Sequence, residues 1–448
     1  MDARHERYDL TRGNIFRKLV LVAVPIMGTQ FMQMAYNLTD MFWLGRMEAS
    51  TMAVAASGMG GMFLWLSQAF LLFGRMGAEI GVSQNLGRGD RRAALSYAEH
   101  AATIALLLGV AFGLALSLFA GPMIGLFNIQ EADVRANAAV YMRITGLGIP
   151  LTFLSAAITG SFNGAGRSQL SFWANAVGLA VNMALDPLMI LTFGWGVAGA
   201  AWATIIAQGV VCLGFVILSQ HKKTRVFEHF RLWVCLKRDV AGQIMRWGVP
   251  MALESGAFTL LAMAVTDLNA TFGQEALAVQ KIGSQIESLS WLIGGGFGSA
   301  VTAFVGQNYG AQKPDRIREG VRISALTMVA WGLIVTALLY FFGRALFSLF
   351  SPDAQVLTLG ESYLKLLAIA QLPMCLEAGY AGAFRGVGKT LPPSLSSIVS
   401  NVLRVPLVYA LVDAGLGLWG IWLGVVITST LRSLAVTVWY AADARRFK

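Results

Sequence analysis

The chain has 448 residues, of which 56% are hydrophobic and only 13% are charged. Soluble domains carry about 25% charged residues, so this composition excludes a soluble globular protein and indicates an integral membrane protein. The formal net charge of +10 would suit a nucleic-acid partner. The basic residues, however, follow a pattern of membrane topology, and we predict no nucleic-acid partner.

Apolar stretches of about 20 residues, the length that crosses a bilayer as a helix, recur along the whole chain. The sequence predicts about twelve such spans, at approximately 15–38, 52–74, 94–119, 135–158, 167–192, 197–219, 242–269, 277–304, 320–347, 357–381, 391–412 and 417–440. The predicted fold class is therefore an all-α integral membrane protein with about twelve transmembrane helices.

Basic residues gather in alternate loops, whereas the intervening loops are acidic or neutral. Arg7 and Arg12 precede the first span, and Arg91 and Arg92 follow the second. The longest polar stretch, 221–240, is also basic. This positive-inside alternation predicts a multi-pass protein of the cell membrane, surrounded by lipid, with both termini in the cytoplasm. No cleavable signal peptide is visible, because the first residues are polar and charged.

Landmarks of the first half recur in the second half, roughly 220 residues later. Pro25 corresponds to Pro250, the segment 84–87 to 307–310, and the glycine-rich segment 160–168 to 382–390. A duplicated apolar chain predicts two pseudo-symmetric six-helix bundles, the usual plan of a secondary transporter. We predict an amino-terminal lobe at 1–220, a cytoplasmic linker at 221–240 and a carboxyl-terminal lobe at 241–448.

Enzymatic and cofactor chemistry finds no support in the sequence. Cys212, Cys235 and Cys375 are isolated, so neither a disulfide framework nor a metal-binding spacing exists. The segment 383–390 looks like a phosphate-binding loop, but Ala383 replaces the required first glycine and a membrane helix precedes it instead of a strand. We therefore predict no cofactor, no bound metal, no catalytic residues and no enzyme activity.

Acidic residues inside the spans are the strongest functional candidates. A charged side chain at mid-bilayer costs about 2.5–3.5 kcal/mol on insertion scales, so one that persists usually faces a cavity. In the first span Gln33, Tyr36 and Asp40 are spaced by three and four residues, which places them on one helix face. The alternative for Asp40 is a helix-end residue near the outer headgroups.

The fifth and sixth spans carry matching polar groups. Asn175, Asn182 and Asp186 share one face of the fifth span, and Pro187, which follows, can bend the helix. Thr204 lies inside the sixth span. We predict a proton- or ion-coupling site of Asp40, Asn182, Asp186 and Thr204. The alternative for Asp186 is an ion pair that locks helices together.

The repeat shows that these carboxylates belong to one lobe only. Gln33, Tyr36 and Asp40 correspond to Phe258, Leu261 and Val265. Asn182 corresponds to Asn401, but Val405 and Val425 take the places of Asp186 and Thr204. Symmetric packing therefore does not require the carboxylates, which favours a functional role.

The second lobe holds acids of its own. Glu254 and Glu287 lie deep in their spans, and each fits either a second ion-coupled site or half of a structural pair. Lys281, Arg404 and Arg432 are possible partners. We name Glu254 and Glu287 as a possible second-lobe site.

In the residues described above, the chain resembles members of the multidrug and toxic compound extrusion (MATE) family, in particular those of its DinF-like branch. The resemblance covers nearly the whole length. It is carried by Pro25 with the face Gln33 to Asp40, the face Asn182 to Asp186 with Pro187, Gly87 and Gly310, and the glycine-rich turns at 164–166 and 386–388.

The resemblance implies an antiporter that exports cationic, amphipathic drugs or dyes in exchange for protons, or for sodium ions. We expect the protein to be a monomer. It implies that Asp40, Asn182, Asp186 and Thr204 form the family's amino-lobe polar network. The substrate-binding residues that we predict beside it are Gln33, Met34, Tyr36, Asn37, Asp40 and Met183. The acids of the second lobe depart from the family's sodium-site pattern, which favours proton coupling through the first lobe.

Three alternatives stay open at this point. A lipid-linked oligosaccharide flippase of the same superfamily would share the layout, although such proteins line the cavity with basic residues. A transporter of the major facilitator type would need a characteristic loop after the second span, which is absent. A non-transporting membrane receptor or enzyme is the alternative of a different class.

Overall fold

The computed structural model describes residues 8–44, 46, 50–125, 131–221, 226–227 and 229–443. These residues form twelve long helices and contain no strand. The helices are α1 (Ile15–Leu44), α2 (Ser50–Gly87), α3 (Arg91–Ile124), α4 (Ala132–Gly164), α5 (Ser168–Pro187), α6 (Gly196–Gln220), α7 (Arg238–Ala270), α8 (Gln274–Gly310), α9 (Pro314–Ser348), α10 (Ala354–Gly386), α11 (Leu391–Leu411) and α12 (Gly417–Asp443). Each predicted span corresponds to one of them, so the predicted all-α fold class is confirmed.

Ten segments of the described residues are long and apolar enough to cross a bilayer, and the last of them, Leu391–Asp443, contains both α11 and α12. A helix satisfies every backbone N–H and C=O within one segment, which is what a lipid environment without water demands. Most of the helices are longer than the predicted spans, whereas α5 ends at Pro187, before the predicted end of its span at 192, and α11 ends at Leu411.

The described residues divide into two compact units. Among the described residues, unit 1 comprises 8–9 and those of Val24–Ala252, and unit 2 comprises Leu10–Ala23 and 253–443. In unit 1, α4 packs against α2, α3 and α6, and α5 packs against α6. In unit 2, α10 packs in the same way against α8, α9 and α12, and α11 against α12. The two halves of the sequence therefore repeat one packing plan.

Two helices belong partly to each unit. The division falls between Ala23 and Val24 in α1, and between Ala252 and Leu253 in α7. Pro25 and Pro250 lie within a few residues of these points. A proline inside a helix removes one backbone hydrogen bond and weakens the helix at that place.

In unit 2, the segment before α1 is held by the turn between α8 and α9. The Leu10 amide donates to Gln307 Oε1 (3.0 Å), and Asn308 Nδ2 donates to the Leu10 carbonyl (3.2 Å). Lys313 Nζ donates to the Thr11 carbonyl (2.9 Å), and Leu10 itself is fully buried.

In unit 1, α3 holds the end of the predicted linker. The amides of Arg231 and Val234 donate to Glu99 Oε1 (2.9 Å) and Thr103 Oγ1 (3.1 Å). The Lys237 amide donates to His100 Nε2 (3.0 Å). His100 Nδ1 lies 2.7 Å from the Ser96 carbonyl, so the proton of the neutral ring sits on Nδ1. Residues 222–225 and 228 of the predicted linker lie outside the described residues.

The glycine-rich segments that resemble a phosphate loop form the same helix-ending turn in both halves. Gly166 and Gly388 adopt positive φ angles of 73° and 82°, a conformation that costs little only for glycine. The following amides, of Arg167 and Lys389, donate to the carbonyls of Phe162 (2.8 Å) and Phe384 (2.9 Å). These bonds satisfy carbonyls at the helix end, so the segments are tight turns, as we predicted.

The central helices approach their neighbours closely at glycines. A Cβ atom added at Gly160 of α4 would lie 2.2 Å from the Arg75 carbonyl oxygen of α2. One added at Gly382 of α10 would lie 2.3 Å from the Gly298 carbonyl oxygen of α8. Small residues at these places allow backbone-to-backbone contact between membrane helices.

We expect Gly382→Ala to lower the free energy of unfolding by about 1–3 kcal/mol, because the backbone must move to admit the methyl group. Gly256→Ala is the matched control in the same unit, since no atom lies within 4 Å of its added Cβ. The measurement is the melting temperature of the purified protein in detergent. Equal melting temperatures for the two variants would show that the helix contact at Gly382 is not tight.

Candidate functional site

All four predicted coupling residues lie together inside unit 1. Asn182 Nδ2 of α5 donates to Asp186 Oδ1 (3.1 Å) on the same helix and to Asp40 Oδ1 (3.4 Å) on α1. Thr204 Oγ1 of α6 donates to Asp40 Oδ2 (3.3 Å). Three helices thus contribute to one hydrogen-bonded cluster, which we call the carboxylate cluster: Asp40, Asn182, Asp186 and Thr204.

The sequence of α5 explains how this face forms. Asn175, Gly178, Asn182 and Asp186 recur at three- and four-residue spacing and are all buried. Pro187 follows, and the chain continues as a single π-helical turn, Leu188–Thr192. A π turn inside a helix often marks a functional site, and here it begins two residues after Asp186.

The carboxylate cluster is rich in acceptors and poor in donors. Asn182 directs its Nδ2 group to both carboxylates, while its own Oδ1 is buried without a partner. Asp186 Oδ2 is likewise buried without a partner. Thr204 has one hydroxyl hydrogen, which lies near both Asp40 Oδ2 and the Ala200 carbonyl (3.0 Å). Such a cluster can accept a proton or a small cation.

Among the described residues, no Lys or Arg forms an ion pair with Asp40 or Asp186. The structural alternative for Asp186, an ion pair that locks helices together, is therefore not what the described residues show. Asp40 lies near the end of α1, but its hydrogen bonds point to α5 and α6. In unit 2 the corresponding Val265 packs in an apolar cluster.

Two tyrosines flank the carboxylate cluster. Tyr36 and Tyr141 are buried and lie within electrostatic reach of both carboxylates. The Tyr36 hydroxyl has no hydrogen-bond partner among the described residues. It fits beside Gly178, where an added Cβ would lie 2.7 Å from the hydroxyl oxygen. The sequence reasoning missed Gly178, although its spacing on α5 signals it, and missed Tyr141, which comes from α4.

The other predicted substrate-binding residues take different positions. Gln33 and Met183 are exposed, and Met34 is half-buried. No hydrogen bond joins Gln33 to the carboxylate cluster within the described part of the chain. The side chain of Asn37 lies outside the described residues.

The acids of unit 2 are distributed over separate contacts. Glu254 Oε2 accepts from Ser394 Oγ (2.8 Å), and Glu287 Oε1 accepts from Gln371 Nε2 (3.0 Å). No hydrogen bond joins Glu254 to Glu287 within the segments that the structure describes. These two predicted candidates therefore form two environments, not one.

The arginines of unit 2 are already engaged. Arg432 Nε forms an ion pair with Glu377 Oε2 at 3.0 Å. Arg404 is buried and donates to Thr428 Oγ1 (2.9 Å) and Ser429 Oγ (3.1 Å). Both hydroxyls lie on α12, so Arg404 ties α11 to α12.

A duplicated six-helix plan, with a buried carboxylate cluster in one copy, defines a multi-pass membrane transporter. The MatE family model matches residues 25–188 and 250–410, one match in each half. The chain belongs to the MatE family, which confirms the resemblance to MATE proteins; the DinF-like branch stays a prediction. The family comprises transporters, so the chain is not an enzyme.

Similar proteins match this chain along nearly its full length. A probable multidrug resistance protein NorM of Thermotoga maritima is 28% identical over 431 residues, covering 94% of this chain and 90% of that protein. A MATE protein solved in a bent conformation superposes with a TM-score of 0.91 at 22% identity, covering 99% of this chain and 98% of that one. A MOP-superfamily transporter from Pyrococcus furiosus, described as having a binding pocket of reversed polarity, superposes with a TM-score of 0.90 at 22% identity and covers 98% of both chains. These structural likenesses establish the shared fold.

We expect Asn182→Leu to destabilise the protein at neutral pH by about 1–3 kcal/mol, because the buried carboxylates lose their shared donor. Asn401→Leu is the matched control in unit 2, since that equally buried amide serves only Ser397 Oγ (3.4 Å). Melting temperatures in detergent compare the two variants. An equal loss in both would show that Asn182 does not hold the carboxylates.

Proposed function

We propose that the protein exports cationic, amphipathic compounds in exchange for protons, with Asp40 and Asp186 as the coupling carboxylates. The observation that carries this proposal is the acceptor-rich carboxylate cluster, which has no cation partner among the described residues. The multidrug resistance named for the relatives supports the substrate class.

Asn182 and Thr204 orient the carboxylates in either protonation state. With Asp40 ionised, the Thr204 hydroxyl donates to Oδ2 and the cluster carries the negative charge that attracts a cation. With Asp40 protonated, its new O–H can donate to Thr204 Oγ1, whose own hydrogen turns to the Ala200 carbonyl. Protonation thus removes the charge without leaving the hydroxyl unpaired.

The conformational step uses the prolines. A ligand or a proton can drive alternating access only if it binds the two states differently. Pro25 lies where α1 divides between the units, and Pro187 lies directly after Asp186. We place the helix rearrangement at these two prolines, because each already lacks a backbone hydrogen bond.

The energy of proton re-entry suffices for export. When two protons are exchanged for one monovalent cation, one net charge moves inward; across 100 mV it gains about 2.3 kcal/mol, which corresponds to a cation concentration ratio of about 50. Exchange of one proton for one monovalent cation moves no net charge, so a pH difference alone drives it. Exchange of two protons, one per carboxylate, makes export sensitive to the membrane potential as well.

Sodium is the alternative coupling ion, because the oxygens of the carboxylate cluster also suit a hard cation. A lipid-linked oligosaccharide flippase is disfavoured, since a diphosphate would meet unneutralised carboxylates in unit 1. In keeping with the positive-inside pattern, we place the protein in the cell membrane with both termini in the cytoplasm. A monomer remains our prediction.

We expect Asp40→Asn to abolish resistance to cationic drugs in a host cell while the protein level stays normal, because the cluster loses its titratable group on α1. Asp267→Asn is the matched control: it is exposed, and it lies near the end of α7 as Asp40 lies near the end of α1. The measurement is the minimum inhibitory concentration of ethidium. Full resistance with Asn at 40 would reject the role of Asp40.

In proteoliposomes, we expect an imposed pH difference without sodium to drive accumulation of a fluorescent cation. A sodium gradient at equal pH is expected to drive none, since protons are the proposed coupling ion. Valinomycin with potassium clamps the membrane potential and distinguishes one exchanged proton from two. Accumulation driven by sodium alone would replace the proton with sodium in this proposal.

A further inference from the structure

Unit 2 contains a carboxylate whose surroundings differ from those of its other acids. Glu287 Oε1 on α8 accepts from Trp291 Nε1 (3.3 Å) and from Gln371 Nε2 (3.0 Å) of α10. Among the described residues, no Lys or Arg forms an ion pair with it, whereas Glu377 is neutralised by Arg432. Glu287 is thus not neutralised by an ion pair among the described residues.

Aromatic rings stand next to this carboxylate. The Trp291 ring lies 5.9 Å from the Phe258 ring of α7 at an interplanar angle of 57°. The Trp291 side chain is 44% exposed, so part of its indole surface is open to a ligand. Phe258 occupies the position that corresponds to Gln33 in the first half, so the repeat has replaced a polar residue with an aromatic one.

Gln371 provides the second, independent sign of a ligand. Its side chain is fully buried, and its Oε1 has no hydrogen-bond partner although its Nε2 is fixed on Glu287. A buried acceptor without a partner is costly. A cationic group beside Glu287 would stabilise both the carboxylate and this amide oxygen.

The nearby arginines form their contacts with groups other than Glu287. Arg404 and Arg432 lie within electrostatic reach of Glu287. Arg432 is held by Glu377, and Arg404 donates to the hydroxyls of Thr428 and Ser429. Neither guanidinium covers the face of Trp291 among the recorded cation–π contacts of the described residues.

We propose that Glu287, Trp291 and Phe258 form an organic-cation subsite in unit 2, separate from the carboxylate cluster of unit 1. Carboxylate and aromatic faces together recognise bulky cations whose charge is spread over an apolar body, since the ring attracts the charge and the carboxylate neutralises it. Small inorganic cations gain little from the rings. The subsite therefore gives Glu287 a substrate-binding role. It rests on the proposed export function only in the class of substrate that it assumes.

The test is equilibrium binding of radiolabelled tetraphenylphosphonium to the purified full-length protein in detergent. Its charge does not change with pH. We expect Glu287→Gln to weaken binding about ten-fold and Trp291→Leu about five-fold, the range that a lost charge or cation–π contact produces. Trp291→Phe retains an aromatic face and is expected to restore most of the affinity. Neutral triphenylphosphine oxide should not compete.

Two controls match these variants. Glu275→Gln removes an exposed acid from the first turn of the same helix, and Trp419→Leu removes an indole of similar exposure (48%) in the same unit. Both should bind like the unchanged protein, and melting temperatures verify the fold of every variant.

Affinities of Glu287→Gln and Trp291→Leu equal to that of the unchanged protein would overturn the subsite and leave the export proposal intact. The same holds if Trp291→Phe binds as poorly as Trp291→Leu, since the ring face would then be irrelevant. Absence of binding by the unchanged protein would instead overturn the proposed substrate class, and the subsite with it.

Discussion

Two carboxylates inside unit 1 share the amide of Asn182 as a hydrogen-bond donor. The Nδ2 group of Asn182 donates to both Asp40 and Asp186, and no basic side chain among the described residues forms an ion pair with either carboxylate. A protein that needed only stability would replace such a pair with apolar residues, as unit 2 does at Val265. Acids without a basic partner are unfavourable inside a membrane. Their presence here therefore indicates a functional role, because polar groups inside a membrane persist where they face an ion or a substrate.

Duplication supplies the scaffold, and departures from symmetry supply the chemistry. The same helix pairs pack in both units, and the same glycine turns end α4 and α10. At positions where the two halves differ, unit 1 carries acids on α1 and α5, whereas unit 2 carries Phe258 and Arg404. The boundary between the units falls inside α1 and α7, close to Pro25 and Pro250.

Hydropathy and spacing were sufficient for much of this structure. The twelve spans follow from apolar length alone, and the polar face of α5 follows from the spacing of Asn175, Asn182 and Asp186. The chain repeat also indicated that the carboxylates belong to one half. These features are local or periodic, so a sequence carries them directly.

Contacts between distant segments were beyond such reasoning. Nothing in the local sequence indicates that Tyr141 of α4 approaches Asp40, that Gln371 of α10 binds Glu287, or that Leu10 docks on Asn308. The linker prediction treated 221–240 as one polar segment, whereas backbone bonds from 231–237 to side chains of α3 tie its end to unit 1. Side-chain exposure was equally out of reach, since Met183 and Asn182 are neighbours and only the second is buried.

The central claim is that a cation and a proton compete for the same carboxylates, and proton release on binding tests it most directly. In weakly buffered detergent solution with a pH indicator, each tetraphenylphosphonium ion that binds should release at least about one proton from Asp40 and Asp186, as linkage requires. The doubly substituted protein with Asn at 40 and 186 should release none. Tight binding of the cation by the Glu287→Gln variant, which lacks the acid of the proposed unit 2 subsite, without any proton release would contradict the account.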